Sequence, residues 1–172
     1  MIASTHLTVG AAAGAALYRF LNPRKRSDLI VASFVALFLG IFSHLLLDEI
    51  PHSEYVMIPK DILLLVLFGE LFLVFGLIFY FGIKRLRNRD KGEEVLIMAG
   101  MIGGALPDLA FVVYNLFGIK WQWLKSFINI NTFFHGTTYL SGWISFPVQI
   151  FISVISVYLI YLLSIKNKKP GN

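Results

Sequence analysis

Cysteine is absent from the chain, and charged residues are scarce. Without thiols the protein cannot form a disulfide, offer a thiolate nucleophile or bind zinc through cysteine. Asp, Glu, Lys and Arg together make up only 15% of the 172 residues, whereas 57% are hydrophobic. A soluble domain of this size needs a larger polar surface. The sequence therefore predicts a membrane protein in which any metal site uses histidine and carboxylate ligands.

Five apolar runs are long enough to form membrane-spanning helices, which need about 20 mostly apolar residues. We predict an all-α protein, an integral membrane helical bundle of about five transmembrane helices that forms one domain at 1–165. A basic tail at 166–172 follows this domain. The predicted helices lie near 2–21, 27–50, 61–84, 94–117 and 143–165.

The segment 118–142, between the last two predicted helices, is too polar to span a membrane. It nevertheless carries many aromatic side chains, a composition typical of a helix or loop that lies on the bilayer surface. These residues are Trp121, Trp123, Phe127, Phe133 and Phe134. We expect this interfacial aromatic segment to cover the outer face of the bundle.

The net charge of +5 comes from basic residues that cluster beside the apolar runs. Twelve of the fifteen Lys and Arg residues fall in 19–26, in 84–91 and in the C-terminal tail. Such clusters are typical of membrane flanks, so we expect the lipid bilayer as a partner and no nucleic acid. Because cytoplasmic loops carry the excess of Lys and Arg, we predict a multi-pass protein of the cell (inner) membrane with its N-terminus outside and its C-terminus in the cytoplasm.

All four histidines and three of the five aspartates fall in or beside the outer half of this predicted bundle. Ionisable side chains are costly inside a membrane and usually face a cavity or a partner, so several at one depth indicate a functional site. The group comprises His6, His44, Asp48, His52, Asp61, Asp108 and His135.

The strongest local motif lies at 43–52, near the end of the second predicted helix. His44 and Asp48 are four residues apart, so they share one helix face and can bind one metal ion. Pro51 ends the helix, and the turn there can bring His52 back toward the same pocket. The alternative is a histidine that is only hydrogen-bonded to an aspartate inside the bundle.

A second motif, GGALPD at 103–108, places a proline and an aspartate inside the fourth predicted helix. We expect Pro107 to kink this helix and to leave unpaired backbone groups beside Asp108, as in the broken helices that line polar sites. The alternative is that Asp108 only caps the helical segment that follows.

His6 lies on the first predicted helix, one turn before the sequence GAAAG at 10–14. Small residues at this spacing, together with the glycines at 100 and 104, allow the first and fourth helices to approach closely. That approach would bring His6 toward Asp108. Taken alone, His6 is equally well explained as a surface histidine near a terminus.

Three further residues are weaker candidates. His135 belongs to the aromatic segment, where it either closes the pocket or only lies at the interface. Asp61 heads the third predicted helix, where the helix dipole favours an acidic residue in any case. Glu70 lies near the bilayer midplane and favours an ion pathway. We treat Asp61 and Glu70 as secondary candidates.

Histidine and carboxylate ligands in these numbers suit a divalent metal ion, such as Zn or Mn. A divalent ion lowers the pKa of a bound water and polarises a carbonyl or phosphoryl oxygen, which is hydrolytic chemistry. The predicted catalytic residues are His44, Asp48 and Asp108. The predicted metal ligands are His6, His44, Asp48, His52, Asp108 and His135.

Four short motifs carry five of these six ligands, all except His52: THLTVG at 5–10, SHLLLD at 43–48, LPD at 106–108 and HGTT at 135–138. Together they resemble the motifs of the YdjM-like, membrane-bound metal-dependent hydrolases. The resemblance implies a metal-dependent hydrolase. The chain departs from the family pattern after the Pro-Asp motif, where the family usually has a second Asp and a His, and the order of the motifs also differs. It thus resembles a divergent or rearranged member.

Three functional hypotheses follow. The first is a membrane-embedded hydrolase that acts at the outer face on a lipid-like or amphiphilic ester or phosphoester, because lipids reach a pocket at headgroup level most easily. The second is an ion or metal transporter with Glu70 on its path, which for a chain this short would require an oligomer. The third is a non-catalytic structural membrane protein whose histidines and aspartates hold helices together.

Overall fold

The computed structural model describes residues 3–50, 91–115, 118–134 and 142–165, together with single helical positions at 65, 69, 72 and 76. Within these ranges the chain forms five continuous helices and no strand. The helices are α1 (Ala3–Leu21), α2 (Arg26–Asp48), α3 (Lys91–Asn115), α4 (Gln122–Phe134) and α5 (Gly142–Ile165).

The all-α class agrees with the expectation from the sequence. Four of the predicted spanning helices correspond to α1, α2, α3 and α5, and their described ends lie within three residues of the predicted ones. The predicted helix at 61–84 lies outside the described residues except for the single positions. Among the residues that the structure describes, α2 alone is long and apolar enough to cross a membrane by length and composition.

The turn between α1 and α2 is short and well defined. Asn22 adopts a left-handed conformation with φ of 43°, and its N–H donates to the carbonyl of Tyr18 at 2.8 Å. Asparagine tolerates this conformation better than most residues, so it ends a helix well. Pro23 follows, and an extended Lys25 precedes the first turn of α2. The two helices therefore run in opposite directions and contact each other.

Helix α3 occupies the centre and packs mainly against α1 and α2. Glycines make this packing close: a Cβ atom at Gly10 would overlap the carbonyl of Gly100, and one at Gly104 would overlap the carbonyl of His6. On the other side of α3, a Cβ atom at Gly103 would overlap the carbonyl of Leu37. The close approach of α1 to α3 that the glycine spacing predicts is therefore present.

Two helices at the periphery present large apolar side chains outward. Along α2, Phe34, Phe38 and Phe42 recur every four residues on an exposed face, and only 22% of the most apolar part of this helix is buried. On α5, which packs on α1, Phe151 and Val154 are likewise exposed. Contiguous apolar surface of this kind is unusual on a water-soluble monomer.

Helix α4 forms from part of the predicted interfacial segment. It contacts α3 and α2 and buries Leu124, while Trp121, Trp123 and Phe133 point outward. Just before it, the Lys120 ammonium lies 4.0 Å from the centre of the Tyr114 ring and donates to the Tyr114 carbonyl at 3.0 Å. One face of α4 thus anchors the helix and the other exposes aromatic rings.

Candidate metal centre

Three helices bring four of the predicted site residues together at one end of the bundle. His6 lies in the first turn of α1, and Asp48 is the last residue of α2, so the antiparallel arrangement places them side by side. His44 lies one turn before Asp48 on the same face. Asp108 comes from α3, where Gly104 one turn earlier touches the His6 backbone.

Asp48 lies between the two histidines. Its Oδ1 atom is 3.3 Å from Nε2 of His6, and its Oδ2 atom is 3.1 Å from Nε2 of His44. Oδ1 of Asp108 is 3.8 Å from the same His44 nitrogen. The two imidazole rings stack with their centroids 3.8 Å apart and their planes inclined by 29°. Two carboxylates and two imidazoles therefore share one small volume.

The backbone of α3 fixes the tautomer of His44. Nδ1 of His44 lies 2.9 Å from the carbonyl oxygen of Gly104, and a carbonyl only accepts, so Nδ1 carries the proton and donates it. In the neutral ring the other nitrogen, Nε2, then has a free lone pair. That nitrogen is the one that faces Asp48 and Asp108. A backbone hydrogen bond on one nitrogen with a metal on the other is the usual arrangement of a histidine ligand.

Three ring nitrogens at this site are buried and make no hydrogen bond of good geometry within the part of the chain that the structure describes, although two of them lie at ion-pair distance from Asp48. They are Nδ1 and Nε2 of His6 and Nε2 of His44. Both histidines are wholly buried, and the Asp48 side chain is only 3% exposed. Buried polar atoms without a good hydrogen bond are costly, and a neutral His44 ring would turn the lone pair of Nε2 toward the Asp48 carboxylate, which would repel it. A bound cation, which attracts both groups, removes both penalties.

The separations between the ligand atoms fit a single divalent ion after small movements. Ligand atoms about 2.1 Å from one ion lie about 3.0 Å apart at a right angle and about 3.4 Å apart at a tetrahedral angle. The two contacts of Asp48, at 3.1 and 3.3 Å, fall in that range. His6, His44 and Asp108 each offer one ligand atom, and these atoms lie within 4.8 Å of one another. The group can hold a metal ion, and its ligands leave the metal's identity open.

The centre opens toward Asp108. The side chain of this residue is 43% exposed, in contrast to the almost complete burial of the other three. Its neighbour Leu109 is 59% exposed, so the opening lies beside an apolar surface. A molecule that approaches the centre meets Asp108 first. Helix α3 continues through Pro107 to Asn115, so Asp108 lies inside the helix and does not cap a new one.

The remaining candidates lie outside the described residues. They are His52, Asp61, Glu70 and His135. The structure therefore places His6, His44, Asp48 and Asp108 together.

Sequence reasoning missed two features of the site. The first is the Gly104 carbonyl, which supports His44 although glycine has no side chain to draw attention. The second is a layer of buried polar residues between α1 and α5, next to His6. Gln149 donates to Ser145 at 2.6 Å, and Ser153 donates to Thr5 at 3.1 Å. The four-residue spacing of Ser145, Gln149 and Ser153 in an otherwise apolar helix was the signal that could have revealed this layer.

Comparison of the chain with protein-family models, with curated proteins and with solved structures found no match. The function is therefore argued from the four side chains themselves.

Proposed function

We propose that the protein is a membrane-embedded, metal-dependent hydrolase with its active site at the outer membrane face. The site consists of His6, His44, Asp48 and Asp108 and takes a divalent ion, Zn or Mn. The observation that carries this proposal is the convergence of two buried imidazole Nε2 atoms, from His6 and His44, on the carboxylate of Asp48, with Asp108 3.8 Å from the His44 nitrogen.

The ligand set favours catalysis over a purely structural metal. Structural zinc sites are closed by four protein ligands, whereas catalytic sites keep an open position. Here three of the four side chains, those of His6, His44 and Asp48, would hold the ion, and the partly exposed Asp108 leaves one side of the centre accessible. A divalent ion in such a site supplies Lewis-acid chemistry suited to the hydrolysis of esters and phosphoesters.

Each residue then has a distinct role. His44 is held in one tautomer by Gly104 and is the most rigid ligand. Asp48 contacts both imidazoles and fixes their spacing. Asp108, the most exposed of the four, is placed to accept a proton from the attacking water. His6 completes the set from α1.

The apolar exterior supports a position in the membrane. The exposed faces of α2 and α5 are covered by Phe, Ile, Val and Leu side chains, which suits a lipid environment. The basic clusters beside the apolar runs support a multi-pass topology of about five spans with an outside N-terminus and a cytoplasmic C-terminus. Trp123 and Phe133 on the outward face of α4, with Trp121 just before it, suit the membrane interface at the site's end of the bundle.

The surroundings of Asp108 support a lipid-like or amphiphilic substrate. The reacting bond must reach a carboxylate that is exposed next to Leu109. An ester or phosphoester that joins a polar group to an apolar chain can place the bond at the centre and the chain against this surface. The short motifs of the chain also resemble those of the YdjM-like family, and this resemblance agrees with the proposal.

Elemental analysis of the purified full chain tests the proposal without a known substrate. We expect about one equivalent of metal in the wild type and its loss in His44→Ala. The substitution removes a ligand whose ring is held in place by its hydrogen bond to the Gly104 carbonyl. Ser43→Ala is the matched control, since the Ser43 hydroxyl donates to the Gly40 carbonyl and lies next to His44 in the sequence. This control should keep its metal.

A metal-free wild type that does not take up added Zn or Mn would contradict the proposal. If His44→Ala then also failed to fold, a structural role for the histidines and aspartates would be the better account. Metal transport depends on Glu70, which lies outside the described residues, and no observation within them favours it.

A further inference from the structure

A second candidate site lies at the opposite end of the bundle, at the turn between α1 and α2. A cavity of about 590 Å³ opens there. His6 lies fifteen residues before Leu21 in α1, which at 1.5 Å per residue puts this turn about 22 Å from the metal centre. The two sites are therefore separate.

The cavity combines two cations with an apolar wall. Arg24 and Lys25 contribute positive charge, and Leu21, Val31 and Ala32 contribute apolar surface. Such a lining matches an amphiphile whose charged group is negative. A free nucleic acid would not need the apolar wall, and a purely apolar ligand would not need the cations.

One carboxylate also lines the cavity and has to be accounted for. Asp28 accepts a hydrogen bond from the Ser27 hydroxyl at 3.1 Å. It reduces the formal charge of the lining from two positive charges to one. The attraction for an anion therefore depends on Arg24 and Lys25 specifically, which makes the site testable one side chain at a time.

The shape of the cavity is set by the backbone before any ligand binds. Asn22 is fixed by its left-handed φ of 43° and its bond to Tyr18, and the ring of Pro23 fixes the φ of the next position. Leu29 N–H donates to the Lys25 carbonyl at 3.0 Å, which closes the first turn of α2. Little backbone conformational entropy is lost when a ligand enters such a site.

We propose that this cavity binds the phosphate of an anionic phospholipid headgroup, with Arg24 and Lys25 on the phosphate and the lipid chain along Val31. The choice of a lipid over free phosphate follows from the apolar wall, and it rests on the membrane position proposed above. Basic pockets at the cytoplasmic ends of membrane helices recognise anionic headgroups in this way.

The test uses the delipidated full chain, reconstituted into nanodiscs of phosphatidylcholine with a small fraction of phosphatidylglycerol, and counts retained lipid by mass spectrometry. We expect selective retention of phosphatidylglycerol by the wild type. Arg24→Ala/Lys25→Ala should weaken retention by about tenfold or more, because two basic contacts are lost. Ser27→Trp, which fills the cavity without changing its charge, should weaken it as well.

Arg26→Ala is the matched control, since Arg26 is exposed in the same basic tripeptide but does not line the cavity. It should retain phosphatidylglycerol within about twofold of the wild type. If Arg26→Ala lost as much phosphatidylglycerol as the double variant, the attraction would be a diffuse effect of positive charge, and the proposal would be overturned. Unchanged retention in Arg24→Ala/Lys25→Ala would overturn it too. Displacement of the lipid by millimolar inorganic phosphate would overturn the lipid as the occupant.

The metal content of the same samples separates this inference from the proposed function. The cavity variants should keep their metal, because they lie at the far end of α1 and α2. A cavity variant that loses lipid selectivity but keeps its metal has a defect at the cavity alone. A His44→Ala variant that loses its metal but keeps lipid selectivity has a defect at the metal centre alone.

Discussion

His44 donates its Nδ1 proton to the backbone carbonyl of Gly104 at 2.9 Å, and this single bond determines which nitrogen faces the carboxylates. Gly104 also lets α1 approach, because its missing Cβ leaves room for the His6 carbonyl. One glycine thus positions a histidine on each of two helices. The packing of α3 and the geometry of the candidate metal centre are consequently linked.

Gly104→Ala tests this link. The new Cβ would overlap the His6 carbonyl and force α1 away, so we expect a loss of about 1 to 3 kcal/mol in the free energy of unfolding together with weaker metal binding. Gly69→Ala is the control, because Gly69 is helical and a Cβ atom added there would meet nothing within 4 Å among the described residues. Unfolding in the presence and absence of Zn measures both effects. Unchanged metal affinity in Gly104→Ala would show that metal binding does not depend on the close packing of α1 against α3.

Asp48→Asn tests the carboxylate between the two histidines. The change keeps the size of the side chain but removes the charge that faces both Nε2 atoms. We expect metal affinity to fall by about 10-fold to 100-fold or more, the range found even for groups that only support a ligand. The same substitution at Asp28, an exposed residue at the other end of α2, should leave metal affinity unchanged. Metal titration of both variants decides the matter.

The sequence carries the information for some of these contacts and not for others. The pairing of His44 with Asp48 follows from a four-residue spacing on one helix. The approach of His6 to the fourth predicted helix follows from small residues that permit close packing. Both inferences use only local periodicity and residue size.

Other features depend on how three helices are rotated about their own axes, which periodicity does not determine. The bond from His44 to the Gly104 carbonyl uses a backbone atom that every residue possesses. The position of Asp48 between two histidines requires the start of α1 and the end of α2 to lie at the same level. The turn at Asn22 sets that level, and its length rather than any ligand residue controls it.

The polar layer between α1 and α5 gives a prediction about stability alone. Gln149 is almost fully buried and donates to Ser145, so Gln149→Leu removes the bond and leaves the Ser145 hydroxyl without this donor. Both residues lie on α5, so the bond is internal to that helix, and we expect a loss of about 0.5 to 1.5 kcal/mol, the range for one intramolecular hydrogen bond. Val154→Ala, on the exposed face of α5, should cost less. Unfolding in detergent measures the difference, and a stabilised Gln149→Leu would show that this bond does not contribute to stability.

Asp108→Asn separates metal binding from catalysis. Asp108 is farther from His44 Nε2 than Asp48 is, 3.8 Å against 3.1 Å, and it is the exposed member of the group. We therefore expect Asp108→Asn to keep more metal than Asp48→Asn. A side chain that takes a proton from water contributes about 100-fold to 10,000-fold, so hydrolysis of an amphiphilic ester or phosphoester should fall by that factor.

Elemental analysis and an activity assay on the same Asp108→Asn sample give both quantities. Metal loss as complete as in His44→Ala would make Asp108 a principal ligand and remove its assignment as the base. Full metal with full activity would remove it from the chemistry altogether. Retained metal with lost hydrolysis is the combination expected of a proton acceptor at the open side of the centre, because a residue needed for folding or for ligation would lower both.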